Sequence, residues 1–227
     1  MKERIRKVIS KITGLYTFGD FVYKAKMHRQ QAEVKIPKVD LLPEHVKDAE
    51  LLTNREALIN RMPSNSVCCE IGVNKGDFSQ LLLNICRPKK LHLIDAWGDS
   101  ARYHDGLKQQ VKEKFAGEIG SGQVELNVGL STEVLLKFPD HYFDWVYLDT
   151  DHSYELTSKE LTLLENKVKP AGIIAGHDYI MGNWVGQVRY GVMEAVHEFC
   201  ASRNWKLKYL TTNIAESPSF AIERIAR

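Results

Sequence analysis

The chain has 227 residues, 44% of them hydrophobic and 26% charged, with a formal net charge of +2. That suits a soluble α/β domain with an appendage, makes no case for a nucleic-acid partner, and leaves no apolar run near the ~18 residues of a membrane span. Four cysteines (Cys68, Cys69, Cys86, Cys200) without metal or redox spacing fit a reduced, cytoplasmic setting.

In chain order, residues 1–43 read as a basic amphipathic arm and 44–227 as the main domain. Residues 1–38 hold ten Lys/Arg against Glu3, Asp20 and Glu33, so about +7 sits there and about −5 in the rest. Ile5, Val8, Ile9 and Ile12 recur at helical spacing. Two readings stay open: a helix packed on the domain or on a second subunit of a homodimer, or a peripheral contact with an anionic membrane. Lys11, Thr13 and Asp20 break any signal-peptide core. Pro37 and Pro43 mark the exit from the arm, and a helix around Glu44–Arg61 leads to Pro63.

From Val67 small uncharged residues read as a buried strand that ends in the carboxylate of Glu70, beside a tight turn bracketed by Gly72 and Gly76. Asp77, with Gln80 three residues on, is placed to cap the helix that follows. A dinucleotide site wants G-x-G-x-x-G, so that backbone can approach a diphosphate. Here Asn74 stands at the second glycine, and its side chain would crowd that diphosphate. A cofactor without phosphates fits better. S-adenosylmethionine (SAM) offers a carboxylate for a helix N-terminus and an ammonium for Glu70. The next strand, Lys90–Asp95, again ends in an acid, roughly 20 residues past the glycines, where a ribose-binding carboxylate is expected.

Ala101–Phe115 reads as an exposed helix, Gln123–Val128 as a strand, Thr132–Phe138 as a short helix and Phe143–Asp149 as a strand. Tyr154–Val168 follows as a helix, then Ile173–Gly176 as a strand and Gly191–Ser202 as a helix. Trp205–Thr211 and Phe220–Ile225 read as a final hairpin. The alternation predicts a Rossmann-like, seven-stranded, mostly parallel sheet with helices on both faces and one antiparallel C-terminal strand. Ligands in such sheets bind beyond the strand C-termini, where Asp149, Asp151, His152, His177 and Asp178 could converge. That set suits a divalent cation or proton abstraction. Asp151 also reads as a helix N-cap, and the histidines as hydrogen-bonded packing.

Over residues 60–227 the chain resembles the class I SAM-dependent methyltransferases. Glu70-Ile71-Gly72-Val73-Asn74-Lys75-Gly76 is similar to their first cofactor motif and Asp95 to their ribose-binding acid. Gly129-Leu130-Ser131-Thr132-Glu133 resembles the adenine-edging turn of catechol-type O-methyltransferases. Leu148–Glu155, Lys169–Gly172 and His177–Tyr179 resemble segments of a bacterial branch related to macrolide-sugar O-methyltransferases. The resemblance implies methyl transfer from SAM to a hydroxyl of a small molecule such as a sugar or natural product. Glu70, Gly72, Asn74 and Gly76 would hold the amino acid end, Asp95, Ala96 and Trp97 the ribose region, and Ser131 and Thr132 the adenine. The loop Tyr179–Tyr190 would border the acceptor. In metal-dependent relatives, acids matching Asp149 and Asp178, with the residue before the latter (here His177), hold Mg²⁺. Imidazole is a poor Mg²⁺ ligand, which leaves three alternatives: Asp149 and Asp178 hold the ion with waters, a softer ion binds at Asp149, His177 and Asp178, or His177 or His152 is a base without metal. The reading favours the metal site, with Asp149, His152 and His177 as the catalytic candidates. A nicotinamide oxidoreductase and a non-catalytic, membrane-associated scaffold are the rival readings.

Overall fold

A computed structural model describes residues 33–98, 106–183 and 185–226, together with Tyr23 and Met27. The chain divides into two compact units, Met1–Pro37 and Lys38–Arg227. The amphipathic run of the arm, residues 99–105 and Trp184 lie outside the described residues. No helix among the described residues is long and apolar enough to cross a membrane.

In the larger unit, strands β1 (Glu50–Leu52), β2 (Val67–Ile71), β3 (Lys90–Asp95), β4 (Val124–Val128), β5 (Phe143–Leu148), β6 (Val168–Gly176), β9 (Trp205–Thr211) and β10 (Phe220–Arg224) form one sheet. The order across it is β1-β9-β10-β6-β5-β2-β3-β4. β10 runs antiparallel to both neighbours, and the other pairings are parallel. A separate two-residue ladder, β7 (Gly182–Asn183) with β8 (Val188–Arg189), follows β6. The helices are α1 (Arg55–Ile59), α2 (Asp77–Cys86), α3 (Leu107–Lys114), α4 (Ala116–Gly120), α5 (Ser131–Val134), α6 (Tyr154–Lys167) and α7 (Val192–Arg203). This is the mixed α/β, Rossmann-like architecture expected from the alternation of elements.

The central strands are apolar on both faces because both are covered. Cys69, Ile71, Val146, Leu148 and Ile174 pack with Leu161 and Leu164 of α6 and Val196 and Phe199 of α7. Cys68, Leu91, Leu93, Trp145 and Tyr147 pack with Leu58 and Ile59 of α1, Leu82 of α2 and Val111 and Phe115 around α3. The period-2 alternation along each strand assigns its side chains to one layer or the other. At roughly 1.5–3 kcal/mol for each large side chain removed from water, these two layers are the main stabilising term.

Five local expectations are corrected. The stretch Glu44–Arg61 is no single helix: a 3₁₀ turn at Pro43–His45 precedes β1 and α1. β1 pairs parallel with β9 and becomes the eighth strand. Asn54 caps α1, its Oδ1 accepting from Ala57 N at 2.8 Å, and the cap resets the chain direction after β1. β6 begins at Val168, because Pro170 and Gly172 are absorbed at its early, exposed end instead of preceding it. The cap position of α2 belongs to Gly76, in the left-handed region at φ 73°, while Asp77 ion-pairs with Lys114 at 2.7 Å. The segment after Tyr179 is not wholly loop, since β7 and β8 close a hairpin within it.

Candidate active site

From β2 the chain winds outward through β3 and β4, then returns to place β5 on the other side of β2. The switch point is therefore the gap between β2 and β5, and a doubly wound sheet opens its ligand crevice there, beyond the strand C-termini. Backbone hydrogen bonds continue past the strands and lace the tips into a row. Gly129 N donates to Asp95 O (3.0 Å), Gly72 N to Ile94 O (2.9 Å), Asp149 N to Ile71 O (2.8 Å) and His177 N to Leu148 O (3.0 Å). Gly72, at φ 89°, must be glycine: a Cβ there would lie 1.9 Å from Asp149 O. The first cofactor motif and the first candidate catalytic acid are thus neighbours across the switch point.

On the cofactor side, Asp95 Oδ2 accepts from Val73 N (2.8 Å) and Asn74 N (2.9 Å), and Oδ1 accepts from Trp97 N (2.8 Å). Asn74 takes φ 51° and Trp97 φ 37°. The Trp97 indole donates to Asn74 O at 3.0 Å. Asp95 therefore shapes the glycine turn as well as ending its strand; of the roughly four acceptor sites on a carboxylate, these bonds use three. Ala96 is exposed beside it. Gly76 sits against Phe115, where a Cβ would come within 2.7 Å of the ring. Glu70 is placed differently from the ammonium contact foreseen: it is 1% exposed and accepts from Ser79 Oγ at 2.5 Å. Burial pushes its carboxyl up to about 8, the Ser79 bond pulls it back, and Asp149 and Asp95 add to the rise. Glu70 thus ties β2 to α2 through Ser79.

On the far side of β3, Ser131 opens α5 and donates from Oγ to Glu160 Oε1 at 2.5 Å. Thr132 turns elsewhere and lines a shallow depression with Ser158, Thr162 and Leu163 of α6.

Beyond β5 and β6, His152 Nε2 lies 3.0 Å from Asp149 Oδ1 and 3.0 Å from Asp178 Oδ2. Asp149, His152 and Asp178 form the group whose ligand atoms all fall within 4.8 Å. Burial disfavours the imidazolium, but the Asp149 bond and the charges of Asp178, Asp149 and Asp151 outweigh it and hold His152 above the ordinary imidazole value. The Tyr190 ring lies over His152, centroids 4.8 Å apart. Both His152 (φ 65°) and Asp178 (φ 55°) take left-handed backbone, which turns their side chains back towards the strand tips.

His177 does not join this group, contrary to the expectation that it would be the third metal ligand. Its Nδ1 pairs with Ser219 Oγ at 3.0 Å, and Ser219 in turn pairs with Tyr147 OH at 2.9 Å. Burial holds His177 below the usual imidazole value, the charge of Asp149 opposing it. The donor set around His152 suits Mg²⁺ poorly. It offers two carboxylates and an imidazole whose nitrogen already bridges them at hydrogen-bond distance, where a hard cation wants oxygen. Asp151 is no N-cap: Ser153 caps α6, and Asp151 Oδ1 accepts from Ser153 N and Oγ, both at 2.8 Å.

Two residues of the site, Arg55 and Glu160, carry no signature in the sequence, and Tyr190 enters only as the end of the loop expected to border the acceptor. Arg55 of α1 reaches Glu216 Oε2 (2.7 Å) and Asp149 Oδ2 (3.8 Å) and lies over the Phe78 ring, 4.9 Å from its centroid. Glu160 of α6 is fully buried. Tyr190 follows β8. Their approach depends on the folding of distant segments, and no local spacing announces it.

The strand order and the switch-point crevice are those of a doubly wound α/β fold. Residues 69–179 match the family model described as a methyltransferase domain. No curated protein matches the sequence. Among solved structures, the pyocyanin biosynthetic protein PhzM is 12% identical at TM-score 0.54, covering 71% of this chain and 51% of that one. The present chain thus spans about half the length of PhzM. A SAM-dependent methyltransferase from Aquifex aeolicus is 14% identical at TM-score 0.52, with 81% and 98% covered. The Streptococcus mutans protein SMU.1697c, solved in complex with SAH, is 11% identical at TM-score 0.54, with 75% and 95% covered. Such identities show the fold alone. The family match itself covers just under half of this chain.

Proposed function

We propose that the protein transfers a methyl group from SAM to a hydroxyl of a small molecule, with His152 as the general base and no metal. The observation that carries this reading is His152 bracketed by two carboxylates beside the switch-point crevice. SAM, when bound, supplies an electrophilic methyl group. Gly72 and Gly76 keep the crevice open to its amino acid end, Asp95 sets the turn and offers its remaining acceptor site to the ribose, and Ser131 borders the adenine.

Asp149 and Asp178 both face Nε2 of His152, so they select the tautomer with its proton there. Nδ1 is left as the acceptor, and no described residue bonds it. This is the orienting logic of a carboxylate behind a catalytic imidazole. The proton of the acceptor hydroxyl passes to Nδ1, and the two carboxylates stabilise the imidazolium that forms. Tyr190 and the β7–β8 hairpin, with Met181 and Arg189, border the acceptor side. Most of the rate then comes from alignment in the crevice.

A methyl-donor turnover screen against hydroxylated sugars and phenols, with and without EDTA, tests the reading. We expect turnover that EDTA leaves unchanged and that His152→Ala lowers by about 100-fold or more. Loss of turnover on chelation, or an undiminished His152→Ala enzyme, contradicts it.

A further inference from the structure

Glu160 lies outside every motif of the chain and has no part in the chemistry above. It is fully buried in α6, and its carboxylate spans two loops. Oε1 accepts from Ser131 Oγ at 2.5 Å, and Oε2 accepts from Thr150 Oγ1 at 2.9 Å. Ser131 starts the helix after β4, and Thr150 directly follows Asp149 at the tip of β5. α6 itself begins two residues after His152. One side chain therefore ties the turn beside the adenine site to the segment that carries Asp149 and His152. Strands β3 and β2 stand between those two loops in the sheet.

We propose that Glu160 is a positioning residue that clamps the adenine-side turn to the catalytic tip of β5, so that cofactor binding and the placement of Asp149 and His152 are set together. This rests on the functional reading above. A carboxylate is the fitting clamp because both hydroxyls donate to it, which fixes the direction of each O–H. Ser131 Oγ is then left with acceptor capacity only on its crevice side. Without those two hydroxyls a carboxylate buried in α6 would be costly, so the three side chains act as one unit.

The test is calorimetric titration with SAH, which needs no acceptor. Glu160→Ala is expected to weaken SAH about ten-fold while the protein still melts cooperatively. Glu160→Gln, whose amide can accept from one hydroxyl and donate to the other, is expected to stay within about three-fold of wild type. Ser131→Ala and Thr150→Ala break opposite arms of one clamp, so the double variant is expected to lose little more than the worse single variant. This pair also keeps the clamp testable if Glu160→Ala does not fold. A folded Glu160→Ala protein with wild-type affinity, or Ser131→Ala and Thr150→Ala losses that simply add, overturns the clamp while leaving the methyltransferase reading intact. A wild-type protein that does not bind SAH overturns both.

Discussion

At the residue scale, two titrating groups give opposite signatures. Glu70 is an acid whose carboxyl rises to about 8 on burial. Below the ordinary glutamate value the folded and unfolded states both hold the proton, and this group's stability is fully present. As pH climbs towards 8, the unfolded chain gives up its proton first, so stability falls across that window, by roughly 3–5 kcal/mol if the full shift is expressed. Glu70→Gln removes the effect. Chemical denaturation between pH 5 and 8 should show the variant gaining on wild type as pH rises; parallel stability curves would place a charged Glu70 in the fold. His152 behaves the other way. It must be neutral to accept a proton, and it sits above the ordinary imidazole value. Activity should therefore rise with pH through an ionisation above that value, and Asp178→Asn should move the rise to lower pH. A pH–rate profile that does not respond to Asp178 would remove that carboxylate from the base.

At the element scale, the sheet tips are held by backbone contacts that side-chain substitutions can disturb at one place above all. Gly72→Ala puts a Cβ 1.9 Å from Asp149 O in a left-handed conformation. We expect a loss of roughly 2–4 kcal/mol in unfolding free energy, with weaker SAH binding in whatever folds. An alanine variant as stable as wild type would mean that β2 and β5 separate freely at the crevice. This junction also shows what was legible in sequence. The strand ends at Glu70, Asp95 and Asp149 were readable because apolar runs stopped at acids. The αβ alternation was readable because periods 2 and 3.6 alternate cleanly. β1 was not, because three residues, Glu50–Leu52, are too short to show a period, and their pairing with β9 spans most of the chain. The exchange of His152 for His177 was not either. His152 points at Asp178 because both residues adopt positive φ, and His177 turns to Ser219, 42 residues on; neither dihedrals nor that approach is written in local spacing.

At the scale of the whole molecule, the β4-β3-β2-β5-β6 arc lays the turn before Ser131, the glycine turn, Asp149 and His152 along a single edge. A ligand that spans this edge contacts several elements at once and should stabilise the folded state by mass action. The fold does not choose the acceptor; in the proposed function Tyr190 and the β7–β8 hairpin border it, with Arg55 beside Asp149. The carboxylates around Arg55 and His152 argue for an acceptor without a strong negative charge. Acidic phenols should accordingly be poorer substrates than neutral ones in the same turnover screen; a preference for the acidic members would reassign Arg55 as an anion contact.

The central claim is that the crevice between Gly72 and Asp149 is a SAM site. Its most direct test is a calorimetric titration of the full chain with SAH and, separately, with NAD(H). Saturable binding of SAH near one per chain, weakened about ten-fold or more by Asp95→Ala and absent with NAD(H), is the expected result. Binding of NAD(H) without SAH, or SAH binding indifferent to Asp95→Ala, would contradict it.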